Sequence, residues 1–532
     1  GDMQCYSLLG TPTACQITDL TIGYAFSDFV LNEDGEIVAA LLVKQEEMEQ
    51  IRVLLKTDDF ADAVHETVSL HCDTAMDLLT EDGTGELKEV QTLEPGETLQ
   101  IAADSTLFET ANRIYARPQA LSAKTTVDSI LRNGKTPVYP GNFEIEKTGE
   151  GFLLINELAL EDYLRFVVPS EMPASYPAEA LKAQAVCART YAYMHMLHAG
   201  LQNYGAHVDD SAAFQVYNNI AEASETSEAV YETKGQMLLS GGTPVTAYFY
   251  STSCGYGTDL TAWNLTYGDE MAATGGYLRA RNIAKGQMLS DTQNPDAHSS
   301  DAQESAEGSK LAEEDSFATF IKTADADSFE QEDTYYRWRY DTALDTELLL
   351  ANLQARYEKS PGNIQRKKGN GYVDEKPEKL GMVTGLTAVK RTTGGVMTEL
   401  LIEGTEDTYR VCGEQNIRYV LAGENTEIAL GADYGKDGSI NGMLPSSFFV
   451  IEPVFEESDV VVPEGKAESE TKRDSKRKEE KLVVVSYRLY GGGFGHGIGM
   501  SQNAARRMAQ AGYDYKQILQ FFYECSIEGV NE

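Results

Sequence analysis

Apolar positions along the chain change period several times, and the changes divide it. Over about the first 115 residues they run in short stretches of strand length. Ala25–Leu31 and Ile37–Lys44 flank Asn32-Glu33-Asp34-Gly35-Glu36, which predicts a hairpin loop. Ile51–Lys56, Thr67–His71 and Leu99–Ala102 predict further strands, and Glu94-Pro95-Gly96-Glu97 a turn. The expected organisation is a β-rich N-terminal domain over 1–115, with no assignable role, and a larger mixed unit over 116–532. The fold class this predicts is α+β.

Helical periodicity then takes over. Pro177–His198 is rich in alanine, and Leu181, Ala185, Ala188 and Ala192 share one stripe. This predicts a core helix, with Pro177 at its first position, Ser175 or Tyr176 as cap and Gly200 beyond its end. Thr243–Ser253 alternates like a strand, and Leu380–Glu403 and Tyr409–Leu421 read as strand pairs around Gly394-Gly395 and Gly404. Gln502–Ala511 predicts a helix ended by Gly512, and Tyr515–Tyr523 a second one capped by Asp514. The longest apolar run, Ile37–Val43, is too short to span a bilayer. The chain starts with Gly1-Asp2 and not with methionine, which reads as a trimmed form lacking an export signal or anchor.

Charge adds two insertions to this picture. Asp291–Asp333 carries 13 acidic residues against Lys310 and Lys322, and Glu456–Lys481 is a charged run of mixed sign. Both read as solvated loops or short exposed helices. Across 532 residues, 84 Asp+Glu stand against 44 Lys+Arg, for a formal net charge of −40. A surface of that sign repels phosphate backbones and anionic lipid, so nucleic acid is excluded as a general partner. At 42% hydrophobic residues the chain is no disordered acidic polymer. Seven scattered cysteines without C-x-x-C spacing exclude a disulfide scaffold and a cysteine-built zinc site, leaving open a single Cys5–Cys15 pair.

Three constellations bear chemistry. In Pro169-Ser170-Glu171-Met172-Pro173, two prolines stiffen what reads as a loop, placing one carboxylate before the core helix. Glu171 reads either as an exposed loop residue or as a positioned general acid/base. Gly491-Gly492-Gly493-Phe494-Gly495-His496-Gly497-Ile498-Gly499 has a glycine density that permits close backbone approach. It lacks a Gly-Lys-Ser/Thr ending, which argues against a phosphate cradle. His496 reads equally as a structural histidine or a proton-transfer group. Gln215-Val216-Tyr217, with Tyr248, Tyr250, Ser251 and Ser253, suits either a sugar cleft or plain strand faces.

Taken in order, these segments resemble the SpoIID/LytB family, the stage II sporulation protein D-like proteins. The similarity runs from Leu154-Ile155-Asn156-Glu157-Leu158 through Ser170-Glu171-Met172-Pro173 into Glu179–Ala192, then through Gln215-Val216-Tyr217 and Tyr248–Gly255. Tyr336-Arg337-Trp338, Arg391, Arg418, Ser447-Phe448 and Gly495–Gln502 follow in the family's order, so roughly Pro137 to Ile527 is covered. The resemblance implies an exported peptidoglycan lytic transglycosylase, cleaving MurNAc–GlcNAc bonds of stem-peptide-stripped glycan strands. Glu171 is its implied single acid/base, with Met172 and Pro173 as apolar walls that raise its pKa. The implied substrate-binding residues are Ser170, Arg189, Gln215, Tyr217, Tyr248, Ser251, Ser253, His496, Met500, Ser501 and Gln502. The family equally implies the alternative of a non-catalytic wall-binding enhancer of an N-acetylmuramoyl-L-alanine amidase. Implied partners are therefore peptidoglycan strands and a wall hydrolase.

One departure stands out. Some members hold zinc with cysteine and histidine before the Gln-x-Tyr motif; here Asp209, Ala213 and Phe214 occupy those positions, beside His207. Alanine and phenylalanine cannot ligate zinc, so no metal and no cofactor is expected. Muramyl lactyl carboxylates require a cleft less negative than the surface, and Arg189, Arg391 and Arg418 are the expected cations of that cleft.

Overall fold

A computed structural model describes residues 3–44, 48–81, 86–263, 276–285, 310–323, 325, 327–458 and 481–529. Most of the Glu456–Lys481 run and the first half of the acidic stretch from Asp291 lie outside the described residues. The fold is α+β, with eight helices among several sheets in the described residues. The chain forms two compact units: Gly1–Ala247 with Gly512–Ile518 and Cys525–Glu532, and Tyr248–Ala511 with Leu519–Glu524.

In the first unit, the hairpin predicted around Asn32–Glu36 forms between Ser27–Leu31 and Ile37–Leu42. The Asn32 side-chain oxygen accepts the N–H groups of Asp34 and Glu36, and Gly35 takes the positive φ the turn requires. The heart of the unit is a seven-stranded sheet. Its order is Val208–Asp209, Gln50–Leu54, Phe152–Ala159, Asn142–Lys147, Arg113–Pro118, Met76–Glu81, Leu87–Leu93. Phe152–Ala159 is an interior strand, third in this order, and its first five residues are all buried, as expected of a strand covered on both faces. The break expected after residue 115 falls inside Arg113–Pro118, which is hydrogen-bonded to strands on both sides. The seven-stranded sheet runs across that position, because Gln50–Leu54 and Arg113–Pro118 pair with Phe152–Ala159 and Asn142–Lys147.

Phe152–Ala159 feeds directly into helix α1, Leu160–Glu171. Helix α2 is Ala178–Leu197 and α3 is Ser224–Glu232. The alanines of α2 are buried as their stripe predicts. Its start differs: Pro177 is itself the cap residue, making no side-chain cap bond, and His198 closes the far end. Thr243–Ser253 is not one strand. Thr243–Pro244 pairs with Gln236–Ser240, and Phe249–Tyr250 pairs with Met500–Ser501. All seven cysteines are free, although the Cys5 and Cys15 thiols face each other in a hydrogen bond.

The second unit holds helices α4 (Glu314–Lys322), α5 (Thr346–Lys359), α6 (Glu414–Val420) and α7 (Gln502–Gln510). Helix α8, Tyr515–Phe522, follows, with Asp514 accepting the Gln517 N–H as its predicted cap. Two five-stranded sheets share a core around the fully buried Trp338. The hairpin about Gly394-Gly395 forms as Val383–Arg391 and Met397–Gly404, whereas Tyr409–Leu421 is half strand and half helix α6. Among the described residues, no helix is long and apolar enough to cross a membrane.

The sheet order makes a testable statement about the expected boundary. A fragment comprising 116–532 lacks the partners of Asn142–Lys147 and Phe152–Ala159 on both flanks. It should lose the cooperative thermal transition of the first unit in calorimetry, while the full chain retains it.

Candidate functional site

Glu171 does not sit in a loop. It is the last residue of α1, with Pro169 accommodated in the final turn and Met172 as the extended cap residue. The helix therefore presents its negative end to this carboxylate. Glu171 is half-buried and accepts the Val216 N–H at 2.7 Å. Burial pushes its pKa up to about 7, working against that amide. Met172 is buried, but Pro173 is exposed and forms no apolar wall.

Gln215 and Tyr217, the flanks of Val216, are completely buried. The Tyr217 hydroxyl donates to Asn156 Oδ1 at 2.9 Å, and its ring packs on Tyr139, Tyr163 and Phe166. Gln215 accepts from the Tyr163 hydroxyl at 3.4 Å and donates to the Ala188 carbonyl. Both side chains hold the segment so that Val216 can offer its backbone to Glu171. Ser170 Oγ donates to the Phe166 carbonyl and accepts the Ile220 N–H, tying the next turn of the same segment to α1.

Arg189 is fully buried. It makes a bidentate pair with Glu161 at 2.7 and 2.8 Å and donates to the Val230 and Gln236 carbonyls. Arg391 is consumed by Glu314 and the Gly395 and Phe449 carbonyls, and Arg418 by Glu414 and the Leu444 and Pro445 carbonyls. None of the three is a spare cation for an anionic sugar. Buried guanidinium groups need several acceptors at once, and these provide them. Glu314 belongs to the acidic stretch read as decoration, so that stretch is partly structural.

The stretch aligned with the zinc-bearing positions is held by hydrogen bonds. His207 Nδ1 accepts the Arg52 N–H and its other nitrogen bonds the Ile22 carbonyl, so the ring is neutral. Asp209 accepts the N–H and hydroxyl of Ser211, and Asp210 pairs with Arg132 at 2.5 Å. Among the described residues no group of three metal-ligating side chains is assembled.

In the second unit, the predicted residues converge on another buried carboxylate. Glu330 accepts the Ser253 N–H at 2.9 Å, the Ser253 hydroxyl, and the Ser501 hydroxyl at 2.6 Å. Burial still pushes it up to about 7. Ser501 also caps α7, and Met500 is wholly buried, donating its N–H to the Tyr248 carbonyl. Gln502, the first residue of α7, is nearly buried. Ser251 bonds the Thr252 hydroxyl. His496 accepts the Ile498 N–H and bonds the Phe249 carbonyl; burial, then Arg418, pushes it down to about 3. It is a neutral brace for the glycine loop. Gly499 has φ +75°, and a Cβ there would lie 2.0 Å from the Tyr248 carbonyl oxygen. The glycines of this loop serve close packing, Gly492 and Gly499 against backbone carbonyls and Gly491, Gly495 and Gly497 against the Trp338, Tyr250 and Phe448 side chains.

Three participants escaped the sequence reading. The Val216 amide carries no side-chain signal, although its motif was visible. Glu330 was hidden among 13 acids of a stretch read as solvent-facing. Trp263 packs edge-on to Tyr248 at 4.8 Å and on His496 at 5.1 Å, completing a partly exposed aromatic face with no periodicity to announce it.

Residues 148–239 match the family model described as Stage II sporulation protein. The chain is 37% identical over 123 residues to stage II sporulation protein D of Bacillus subtilis, covering 20% of this chain and 36% of that protein. It is 34% identical over 145 residues to the amidase enhancer of Bacillus subtilis, covering 27% and 19%. An uncharacterized protein of Brachyspira hyodysenteriae is 36% identical over 135 residues, covering 25% and 36%. The chain thus spans little more than a third of these relatives' lengths at most.

Arg189 offers a direct test of structural against ligand-binding roles. Arg189→Ala should cost about 3–5 kcal/mol in urea unfolding, because it leaves Glu161 without its buried partner. A residue that served ligand alone would leave the unfolding midpoint unchanged.

Proposed function

We propose, for a chain whose region 148–239 belongs to the SpoIID/LytB family, that it acts on the bacterial cell wall as an exported lytic transglycosylase of peptidoglycan glycan strands. The observation that supports this reading is Glu171, a half-buried carboxyl whose pKa is pushed up to about 7. Such a group is protonated in a useful fraction at neutral pH and can serve as acid and then as base. Protonated Glu171 donates to the glycosidic oxygen as the C1–O bond of the muramyl residue breaks. The C6 hydroxyl of the same sugar then attacks C1, and its proton returns to the Glu171 carboxylate. The products are a new chain end with a free hydroxyl and a 1,6-anhydromuramyl end. No water is activated, so one carboxylate suffices where an ordinary glycosidase needs two.

The Val216 N–H steadies the ionised form that exists between the two proton transfers. The negative end of α1 and the surrounding burial favour its return to the acid. A second reading, an enhancer of a partner wall amidase, draws on the 34% identity to a protein named for that role. In that case the site would bind glycan without cleaving it.

Incubation with stem-stripped glycan strands followed by mass spectrometry separates the two. The wild-type chain should yield anhydromuramyl ends, and Glu171→Gln should lower the yield at least a hundredfold. Equal yields, or none from the wild type, would sink the catalytic reading. Because the protonated form starts the reaction, kcat/KM should fall as pH rises through about 7.

Stability carries the same signature with its own sign. The folded pKa lies above the ordinary value of 4.5, so the contribution of Glu171 is present below about 4.5 and lost as pH rises to about 7. Relative to wild type, Glu171→Gln should therefore gain about 1–3 kcal/mol between pH 4 and pH 8 in denaturant titrations.

A further inference from the structure

The first unit contains two large cavities, of about 990 and 910 Å³, and Glu171 lines neither. The larger is walled by Glu49, Glu161, Asp162 and Glu528 against Arg189, Lys234 and Lys516, and Arg189 is already spent on Glu161. The smaller has the opposite balance. Four cations, Lys124, Arg132, Lys135 and Arg165, line it against Asp162 and Glu222. Arg165 holds both of those carboxylates, at 3.2 and 2.8 Å. Arg132 is tied to Asp210 and to the Lys56, Thr57 and Leu131 carbonyls. Lys124 and Lys135 are in no ion pair with a described residue; Lys124 acts on Glu222 only at longer range. In a chain of net charge −40, an excess of positive charge in one cavity is a local exception.

Both lysines stand on rigid backbone. Lys124 exchanges hydrogen bonds with Asp73, its N–H donating at 2.9 Å and its carbonyl accepting at 3.2 Å. Lys135 closes a tight turn on Arg132 through Asn133 and Gly134, both with positive φ. Beside them the cavity exposes apolar surface: Leu121 entirely, Ile220 by 44%, Val138 by 36%. Unpaired cations next to small apolar patches suit a ligand with a carboxylate close to methyl groups, and the volume is that of a small-molecule site, roughly 300–1,000 Å³. The wall also continues the segment that holds Glu171. After Val216, Asn218 donates its N–H to the Phe166 carbonyl and its side chain to the Val138 carbonyl, and Ile220 donates to Ser170.

We infer that this cavity is a carboxylate-binding subsite that takes the acidic muramyl part of a wall glycan, with Lys124 and Lys135 as its free cations. This rests on the glycan reading above and adds a recognition site to it. Both lysines lie outside the region 148–239 that matches the family model, whereas Arg165, Ile220 and Glu222 of the same cavity lie inside it. The carboxylate has two sources, the lactyl ether of a bare muramyl sugar or a stem peptide attached to it. The lactyl and alanyl methyl groups would lie on Leu121 and Ile220.

The test is ligand-observed saturation-transfer NMR with the full chain carrying Glu171→Gln, so that nothing is turned over. The probes are the bare GlcNAc–MurNAc disaccharide, muramyl dipeptide, and chitobiose as a neutral sugar of matched length. At least one acidic probe should bind ten times more tightly than chitobiose. Lys124→Ala/Lys135→Ala should abolish that preference while keeping the thermal midpoint, since neither lysine is paired. Binding of the disaccharide assigns the lactyl source, and binding of muramyl dipeptide alone assigns the peptide. Equal affinity for chitobiose, no binding of either acidic probe, or an undiminished preference in the double variant would overturn the subsite. Intact acid-selective binding in a protein that yields no anhydromuramyl ends would instead overturn only the catalytic reading.

Discussion

Asn156 is the point on which the first unit's geometry depends. It lies in an interior strand of the seven-stranded sheet, Phe152–Ala159, and its amide donates to the Pro140 and Asn142 carbonyls while its oxygen accepts from Tyr217. A fully buried amide must satisfy its donors and acceptor together or pay desolvation for each one left over. Satisfying all of them ties three pieces of chain to one strand: the 138–142 turn, the 215–217 segment, and α1, which grows from that strand's end. Glu171 and the Val216 N–H come within 2.7 Å of each other because both are anchored to the same strand by short, stiff connections.

The two carboxyls near pKa 7 show that a shifted pKa does not by itself make a site. Glu330 is entirely buried and accepts hydrogen bonds from Ser253 and Ser501, tying together the two segments that carry them. Glu171 reaches a similar value while still half-exposed at the end of a helix. Only a carboxyl with both a raised pKa and an open side can pass a proton to something outside the protein. The same distinction separates the arginines. Guanidinium groups chosen from their motif positions proved to be internal braces, whereas the free cations are lysines on turns that no motif marks.

Several elements were legible because their signal is local. The Asn32–Glu36 hairpin, the alanine stripe of α2, the Asp514 cap and the Gly394-Gly395 turn each need only neighbours in sequence. The elements that differ from their local signal are those whose form depends on distant partners. Pro169 permits one further helical turn because its missing N–H and ring are tolerated there, so Glu171 ended a helix instead of occupying a loop. The β-rich stretch reads as ending near residue 115, yet the strand there is completed by residues some thirty positions later.

Residue order by itself determined the class of fold and the chain of motifs around Glu171. Periodicity, turn chemistry and motif spacing are properties of adjacent residues, and they survive without coordinates. Which charges are spent and which are free was decided only in three dimensions. Arg189 and Lys124 look alike as cations in the sequence, but one meets Glu161 across a helix pair, whereas the ammonium of the other is in no ion pair with a described residue. Burial and pairing are sums over neighbours far apart in the chain, so tertiary packing alone could place one in the core and the other at the wall of a cavity.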